Sequence, residues 1–452
     1  MGKLHFATAL MADGWRDDVR VAVKSGVIDE VEPGAPAAGA TRFAGAAVPG
    51  LPNLHSHAFQ RGMAGLAERR GPGADSFWTW REVMYRFLDR LTPDDVEAIA
   101  AWAHVEMLEA GFTAVAEFHY LHHAPDGRPY TNPAETAERI AAASLESGIG
   151  LTLLPVFYSH GNFGGAPPSP GQRRFLSNRD GFERLVEGSA RALAALPDAR
   201  LGVAPHSLRA VGFDDLRWLC ARWPDGPLHI HVAEQKKEVE DCLAAHDRRP
   251  IELLAETVVL DERWCLIHAT HAEPHEVDLI ARNGAVAGLC PVTEANLGDG
   301  VFDATRFLDR RGRLGVGSDS LVRISAAEEL RALEYAQRLR HRSRNALGLS
   351  GLSTGRRLHD AACAGGGRAL GRAVGALAPG RRADIVVLDR EHPSLAAASG
   401  DALLDTWIFS ADNAAVGDVI CGGVHLVSAG RHHGRDRLLA RYRDTVRRLE
   451  AI

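Results

Sequence analysis

Histidines and acidic residues follow apolar runs of this sequence, at positions where β-strands are expected to end. His55 and His57 come directly after the run that ends at Leu54. On a strand, residues at i and i+2 point to the same face, so both imidazoles can reach one metal ion. An HxH pair alone is weak evidence, because it also arises by chance and in surface turns.

Three later apolar runs end in the same way. Their last residues and the positions just after them include His229, His231, Glu234, His268, His271 and Asp319. In a barrel of parallel strands, the carboxyl ends of the strands meet at one face, where the chemistry collects. Chance explains any single residue of this set but not easily the whole set, so the sequence predicts one shared site.

The residue types in this set suit a catalytic zinc ion, which needs three or four protein ligands and an exchangeable water. The predicted ligands are His55, His57, His231 and Asp319. His229 shares a face with His231 but lies one pleat deeper, which favours a core or supporting role. His271 is expected on the loop above the sixth strand.

The order of apolar runs predicts a fold that brings these residues together. The strand candidates are 47–54, 112–118, 149–157, 200–205, 228–232, 264–269, 285–290 and 313–318. Helix signals separate them, such as Thr92-Pro93 at one start and Gly111 at the end of the same helix. This pattern favours a (β/α)8 TIM-like barrel of the α/β class. A doubly wound sheet is the alternative, but no candidate strand is followed by its GxGxxG fingerprint.

Both ends of the chain have β-like sequence. Residues 19–23 and 27–31 flank a Lys24-Ser25-Gly26 turn and predict a hairpin, and residues 380–389 and 416–427 are also β-like. We predict that residues 1–47 and 375–452 form one small β-sandwich domain with a last helix near 435–450, and that residues 48–374 form the barrel. The Gly/Pro-rich stretch 161–171 has two interpretations, a functional lid over the barrel mouth or an insertion without a function.

Composition excludes several classes of protein. The 452 residues carry 52 Lys and Arg against 58 Asp and Glu, a net charge of −6 without a basic run. Nucleic acid and anionic membranes are therefore not expected partners. Six dispersed cysteines without a CxxC pair argue against disulfide scaffolds and cysteine-based zinc modules. No apolar run is long enough to span a bilayer, so we predict a cytoplasmic protein.

The residues at the strand ends resemble those of the amidohydrolase superfamily, whose metal site takes an HxH, two further histidines and an aspartate from strands one, five, six and eight. Its members commonly add a small β-sandwich built from both termini. Four segments are similar to those of the formimidoylglutamate deiminases, namely 53–62, 204–211, 231–235 and 317–320. The resemblance covers nearly the whole chain.

The resemblance implies hydrolysis of N-formimidoyl-L-glutamate to N-formyl-L-glutamate and ammonia in histidine degradation, with one zinc per chain in a homodimer. In this interpretation, Asp319 accepts a proton from water, His268 holds the attacking oxygen or assists proton removal, and Glu234 protonates the departing nitrogen. A structural alternative for Glu234 is a cap on the helix after strand five.

A substrate with two carboxylates needs cationic partners, and Arg209 just past the fourth strand suits one of them. The resemblance adds further substrate-binding residues, which are Gln60, Arg81, Tyr120 and His206. For Arg81, a helix-surface salt bridge is nearly as good an interpretation.

Two other functions remain as alternatives. The first is a deaminase of the same fold acting on a ring such as guanine or cytosine, which would need an aromatic wall and neutral hydrogen-bonding groups. The second is an inactive barrel with a binding role, which would be expected to have lost a ligand or the proton carrier.

Overall fold

The computed structural model describes residues 2–196 and 198–450. Its strands are β1 (Gly2–Met11), β2 (Gly14–Lys24), β3 (Val27–Glu32), β4 (Thr41–Pro49), β5 (Leu51–Ser56), β6 (Phe112–His119), β7 (Gly150–Phe157), β8 (Arg200–Leu201), β9 (Ala204–Pro205), β10 (Leu228–Val232), β11 (Trp264–His268), β12 (Val286–Leu289), β13 (Arg313–Val316), β14 (Ile385–Leu388), β15 (Val416–Cys421), β16 (Val424–Ser428) and β17 (Arg431–His432).

The α-helices alternate with these strands through the middle of the chain. They are α1 (Phe77–Leu88), α2 (Pro93–Glu109), α3 (Glu135–Ser147), α4 (Arg179–Ala192), α5 (Phe213–Arg222), α6 (Lys236–His246), α7 (Pro250–Thr257), α8 (Pro274–Asn283), α9 (Pro291–Leu297), α10 (Ala304–Asp309), α11 (Ala326–His341), α12 (Thr354–Ala369), α13 (Ala402–Ser410) and α14 (Arg435–Glu450).

The central strands close into the predicted barrel. Parallel pairing runs from β5 through β6 to β7, which pairs with both β8 and β9, and again from β10 through β13. Parallel bridges between Ser207 and His231 and between Ser56 and Asp319 join the two sets of strands. All residues of β5, β6, β7, β10 and β11 are buried, as expected for strands covered by helices outside and by side chains inside. The (β/α)8 prediction is confirmed.

Two predicted strands were wrong in their bounds. The predicted strand 200–205 is interrupted, since β8 ends at Leu201 and β9 begins at Ala204. The apolar segment predicted as strand 47–54 belongs to two strands, because β4 ends at Pro49 in one sheet and β5 begins at Leu51 in the barrel. Gly50 lies between them, where an added Cβ would come within 2.3 Å of the Thr113 side chain. The helix start predicted at Thr92-Pro93 is confirmed. Thr92 caps α2 through a reciprocal pair of hydrogen bonds with Asp95.

The two ends of the chain meet in one sheet. Among the described residues it has eight strands in the order β17-β16-β15-β14-β4-β1-β2-β3, with the predicted hairpin as β2 and β3. An apolar cluster separate from the barrel core packs on it, with Phe6, Val21, Ile28, Phe43, Ile385 and Ile420 among its members. The predicted union of the two termini in a small β domain is confirmed, whereas its exact boundaries stay a prediction.

The cysteines and the helices bear on two of the predictions made from the composition. All six cysteines are free thiols, and Cys220 alone among them is not fully buried. Within the described ranges, none of the helices combines the length and apolarity that crossing a bilayer requires.

Helix α12 lies unusually close to the barrel strands. An added Cβ at Gly365 would overlap the backbone carbonyl of Leu314 in β13, and one at Gly366 would come within 2.9 Å of Pro52 in β5. Real Cβ atoms do not make such contacts with backbone, so glycine is required where this helix meets β5 and β13. Gly367, the next residue, has only ordinary contacts, the nearest at 3.4 Å.

We therefore expect Gly365→Ala to lower the melting temperature, with a loss of about 1–3 kcal/mol from overpacking. Gly367→Ala is the matched control, and it should leave the melting temperature unchanged or raise it, because alanine is about 1 kcal/mol better than glycine within a helix. Thermal unfolding followed by circular dichroism measures both. Equal effects of the two substitutions would contradict the backbone contact as the cause.

Candidate active site

Three imidazoles converge at the carboxyl end of the barrel. His55 Nε2 lies 3.2 Å from His57 Nε2 and 3.0 Å from His231 Nε2. Asp319 Oδ1 lies 3.3 Å from His57 Nε2 and 3.6 Å from His55 Nε2. The structure thus brings the four predicted ligands together, with all four side chains buried.

Hydrogen bonds on the far side of two rings fix their orientation. The Nδ1 of His57 donates to the Phe118 carbonyl at 3.0 Å, and the Nδ1 of His231 donates to the His206 carbonyl at 3.1 Å. With the proton on Nδ1, each Nε2 presents a lone pair to the common centre. This arrangement is typical of metal-binding histidines.

Burial keeps these imidazoles neutral. It lowers the pKa of His57 to about 3, and it also lowers the pKa of His55 and of His231 well below the usual value, helped in both cases by the neighbouring histidines. Neutral nitrogens with lone pairs 3.0–3.2 Å apart repel one another unless a cation lies among them. The donor set therefore fits a divalent metal ion.

A second group of donors overlaps this one. His268, Cys290 and Asp319 place ligand atoms within 4.8 Å of one another. Burial raises the pKa of the Cys290 thiol well above its usual value, so the thiolate needed for metal binding is disfavoured. The His57, His231 and Asp319 side chains, together with His55, are the better ligand set.

His268 lies among three carboxylates. Its Nε2 is 3.7 Å from Asp319 Oδ2 and 3.8 Å from Glu234 Oε1, and its Nδ1 is 3.2 Å from Glu294 Oε1. Burial opposes protonation, but these carboxylates outweigh it and raise the pKa of His268 to about 10. Burial also raises the pKa of Asp319 to about 7 against the opposing effect of His268, and a cation bound there would favour the carboxylate again.

Glu234 lies between the histidines and a buried arginine. Its Oε2 is 3.9 Å from Arg209 Nη2, and its backbone N–H donates to Glu238 Oε2 at 3.1 Å. Glu238 Oε2 is also 4.0 Å from Arg209 Nε, which has no hydrogen-bond partner among the described residues. Arg209 is thus held by charge but keeps donors available to a ligand.

Arg81 faces the same pocket as Arg209. The guanidinium carbon of Arg81 is 4.6 Å from the ring centre of Trp78, and that of Arg209 is 6.0 Å from it. Arg81 makes no ion pair with any described residue, and its Nε is buried without a partner. This placement in the pocket wall argues against the helix-surface salt bridge that was the alternative for Arg81.

The other predicted substrate-binding residues line this pocket too. Gln60 Nε2 donates to the Tyr120 hydroxyl at 3.0 Å and leaves its Oε1 unpartnered within the described structure. His206 packs on Tyr158, with ring centres 4.7 Å apart. Of the predicted site residues, His55 lies behind the wall, and the others line the pocket.

The segment that follows the glycine- and proline-rich stretch 161–171 contributes to this pocket. Gln172 Nε2 donates to the Tyr158 hydroxyl at 2.5 Å, and Phe175 stands in the pocket wall 4.9 Å from Tyr120, centre to centre.

Several residues of the site were not predicted from the sequence. Tyr158 follows β7, so the strand-end rule could have found it. Glu294 in α9 and Glu238 in α6 lie on helices and had no local signal. His229 Nε2 donates to the Ala369 carbonyl at 2.8 Å, which is a core position, and His271 lies in the turn after β11.

Family models match almost the whole chain. The model described as the amidohydrolase family matches residues 46–426. Residues 1–44 match the model described as the N-terminal domain of formimidoylglutamate deiminase HutF.

Similar proteins agree with these models. A formimidoylglutamate deiminase of Pseudomonas aeruginosa is 54% identical over 97% of each chain. The crystal structure of an amidohydrolase from Brucella melitensis is 51% identical and covers 100% of both chains with a TM-score of 0.95. That of an adenosine deaminase from Xanthomonas campestris with bound zinc is 22% identical, covers 100% of this chain and 98% of its own, and has a TM-score of 0.83.

The ring-substrate deaminase shares the fold at low identity, whereas the deiminase shares more than half of its residues with this chain. Together with the barrel, the converging histidines and the family model over residues 46–426, these similarities show that the chain belongs to the amidohydrolase family.

Proposed function

We propose that this protein hydrolyses N-formimidoyl-L-glutamate to N-formyl-L-glutamate and ammonia, as a step of histidine degradation. The 54% identity to the Pseudomonas aeruginosa deiminase supports this activity. The observation that carries it in the structure is the position of Glu234, which lies 3.8 Å from His268 and 3.9 Å from Arg209. A carboxylate that can carry a proton thus lies between the candidate metal-binding centre and a buried guanidinium.

We assign the metal to His55, His57, His231 and Asp319. Zinc is the ion that imidazoles and a carboxylate suit well. Such an ion, when bound, supplies Lewis acidity and lowers the pKa of water toward neutrality. A homodimer and a cytoplasmic location complete the proposal. The homodimer rests on the resemblance of the sequence, and the location rests on the lengths of its apolar runs.

The protein side chains then divide the proton transfers. Asp319 accepts a proton from the attacking water, and His268, with Nε2 facing both Asp319 and Glu234, holds the attacking oxygen by a hydrogen bond. Glu234 donates a proton to the departing nitrogen. The carbon gains a bond to oxygen and loses its bond to the terminal nitrogen, which leaves as ammonia.

The arginines decide which nitrogen departs. Arg209 and Arg81 bind the two carboxylates of the substrate in a bidentate manner, with Gln60, Tyr120 and His206 completing the pocket. This binding holds the glutamyl nitrogen toward the arginines and the terminal nitrogen toward Glu234. Because only the protonated nitrogen leaves readily, position selects ammonia as the product.

The ring-substrate alternative has less support. Two guanidiniums without hydrogen-bonded carboxylate partners face the pocket, as an acyclic dicarboxylate requires and a neutral base does not. The inactive-barrel alternative is also disfavoured, since the predicted ligands and Glu234 are all present at the site.

The identity of the products tests the proposal directly. We expect ammonia and N-formyl-L-glutamate as the main products, observed by proton NMR during turnover of N-formimidoyl-L-glutamate. Formamide and free glutamate would show that the substrate binds in the reverse orientation, and the assignment of Arg209 would then be wrong.

Metal removal tests the ligand assignment. We expect about one divalent ion per chain, loss of turnover after dialysis against a chelator, and recovery on adding zinc. Elemental analysis before and after dialysis gives the metal content. Full turnover in a sample shown to be metal-free would contradict the proposed chemistry.

Glu234→Gln removes the proton carrier but keeps its size and hydrogen-bonding groups. We expect kcat to fall by about 10² to 10⁴, the usual range for a general acid or base, with unchanged metal content. Glu240→Gln, at an exposed position of the same α6 region, is the control and should keep normal turnover. Loss of metal from the Glu234 variant would instead identify Glu234 as a ligand.

Arg209→Met tests carboxylate recognition. Loss of a charge-assisted bidentate pair of about 1.5–3 kcal/mol predicts a fall of about 10- to 200-fold in kcat/KM for N-formimidoyl-L-glutamate. For N-methylformamidine, which has no carboxylate, the change should be much smaller. Equal losses on both substrates would mean that Arg209 supports the fold, and exposed Arg217→Met controls for removal of one positive charge.

A further inference from the structure

A second cavity, of about 890 Å³, opens at the face of the barrel opposite the metal-binding centre. Arg200, Arg263 and Arg313 mark its floor, and each stands at or just before the first residue of a barrel strand, β8, β11 or β13. The C-terminal half of α12 and residues of β1 form other parts of the wall. The volume lies within the range of sites for small organic ligands, about 300–1,000 Å³.

Some arginines of this cavity are already neutralised. Arg356 pairs with Asp360 at 2.6 Å, and Arg368 pairs with Glu262. Arg263 pairs at 3.2 Å with Asp261, which lies outside the lining. Asp360 and Glu262 are the acidic residues of the described lining, so both of its carboxylates are engaged.

Other arginines of the lining are not neutralised. Among the described residues, Arg200, Arg313 and Arg381 have no carboxylate within ion-pair distance. Arg200 donates only to the carbonyls of Asp198 and Ala199, the two residues before it in the chain. The side chains of Arg313 and Arg381 are exposed. Positive charge therefore predominates in the cavity.

A buried arginine adds an unsatisfied donor. The side chain of Arg372 is 3% exposed, and its Nη atoms bond to Asp198 and to the Leu151 carbonyl at 2.7–2.9 Å. Its Nε has no partner within the described structure. A buried donor without an acceptor is costly, and Arg372 is one of the residues that line the cavity.

Apolar residues complete the wall. Leu10, Met11, Leu201, Val374 and Leu377 line the cavity beside the arginines. No aromatic side chain stands in the described lining, which disfavours a ligand recognised by ring stacking. The lining suits a compact aliphatic body that carries several anionic groups, since guanidiniums bind phosphate and carboxylate in a bidentate manner.

We propose that this cavity is a second binding site, distinct from the metal-binding pocket, for a small aliphatic polyanion with phosphate or carboxylate groups. Arg200, Arg313 and Arg381, which lack a carboxylate partner among the described residues, bind the anionic groups, and the apolar wall covers the carbon skeleton. The site is carried by residues of this chain that the proposed deimination does not use.

Calorimetric titration of the metal-loaded enzyme at low ionic strength tests the site. The probes are fructose 1,6-bisphosphate for phosphate groups and tricarballylate for carboxylates. We expect saturable binding of one probe molecule per chain for at least one of them, and the stronger binder identifies the anionic group.

The double variant Arg313→Gln/Arg381→Gln should weaken this binding by at least about tenfold, because two charge-assisted contacts are removed. Its matched control is Arg42→Gln/Arg311→Gln, which removes the same charge at exposed positions outside the cavity. An unchanged melting temperature without probe shows that each variant folds. Absence of saturable binding of both probes, or equal weakening in the two double variants, would overturn the proposal.

Discussion

The convergence of three neutral imidazoles on one point is the constraint on which the rest of the site depends. Their Nε2 atoms lie 3.0–3.2 Å apart around His55, an arrangement that the isolated side chains would not adopt. The barrel imposes it, because the backbone bridges Ser56–Asp319 and Ser207–His231 fix the strands that carry the ligands side by side. Closure of the barrel and assembly of the metal-binding centre are therefore one structural event.

Charge is divided across the pocket in a way that matches a polar substrate. Asp319, Glu234 and Glu294 surround His268 on the inner side, whereas Arg209 and Arg81 lie beside Trp78 on the other. An amidinium is favoured near the carboxylates and a carboxylate near the guanidiniums. The same separation keeps Arg209 from neutralising Glu234 completely, since their closest atoms remain 3.9 Å apart.

The sequence predicts the barrel and the converging residues because both depend on short-range patterns. Apolar runs of strand length mark the strands, and the residue after each run is at the mouth. The division of segment 47–54 could not be predicted, because apolar residues continue from β4 into β5 and only Gly50 separates two strands of different sheets.

The partners of the predicted site residues depend on tertiary structure and had no such signal. Glu294 lies on α9, and nothing in the surrounding sequence distinguishes it from an ordinary polar residue of a helix. Its Oε1 nevertheless lies 3.2 Å from His268 Nδ1. Arg81 could equally have faced solvent on α1, and only the packing of that helix over the barrel mouth directs it into the pocket.

The backbone of the strand ends shows what holding such a site requires. Ala233, His268, Ala269, Asp319 and Leu321 all have positive φ angles, between 45° and 67°. Such left-handed conformations cost residues other than glycine about 1–2 kcal/mol each, and they persist only where the surrounding structure enforces them. Here they turn the chain sharply after β10, β11 and β13, so that His268 and Asp319 face the centre.

The contacts that stabilise these strands must therefore lie elsewhere, and the close packing of α12 on β5 and β13 at Gly365 and Gly366 is one of them. Strain after β13, the strand that leads to Asp319, is thus offset in part by tight packing behind that strand.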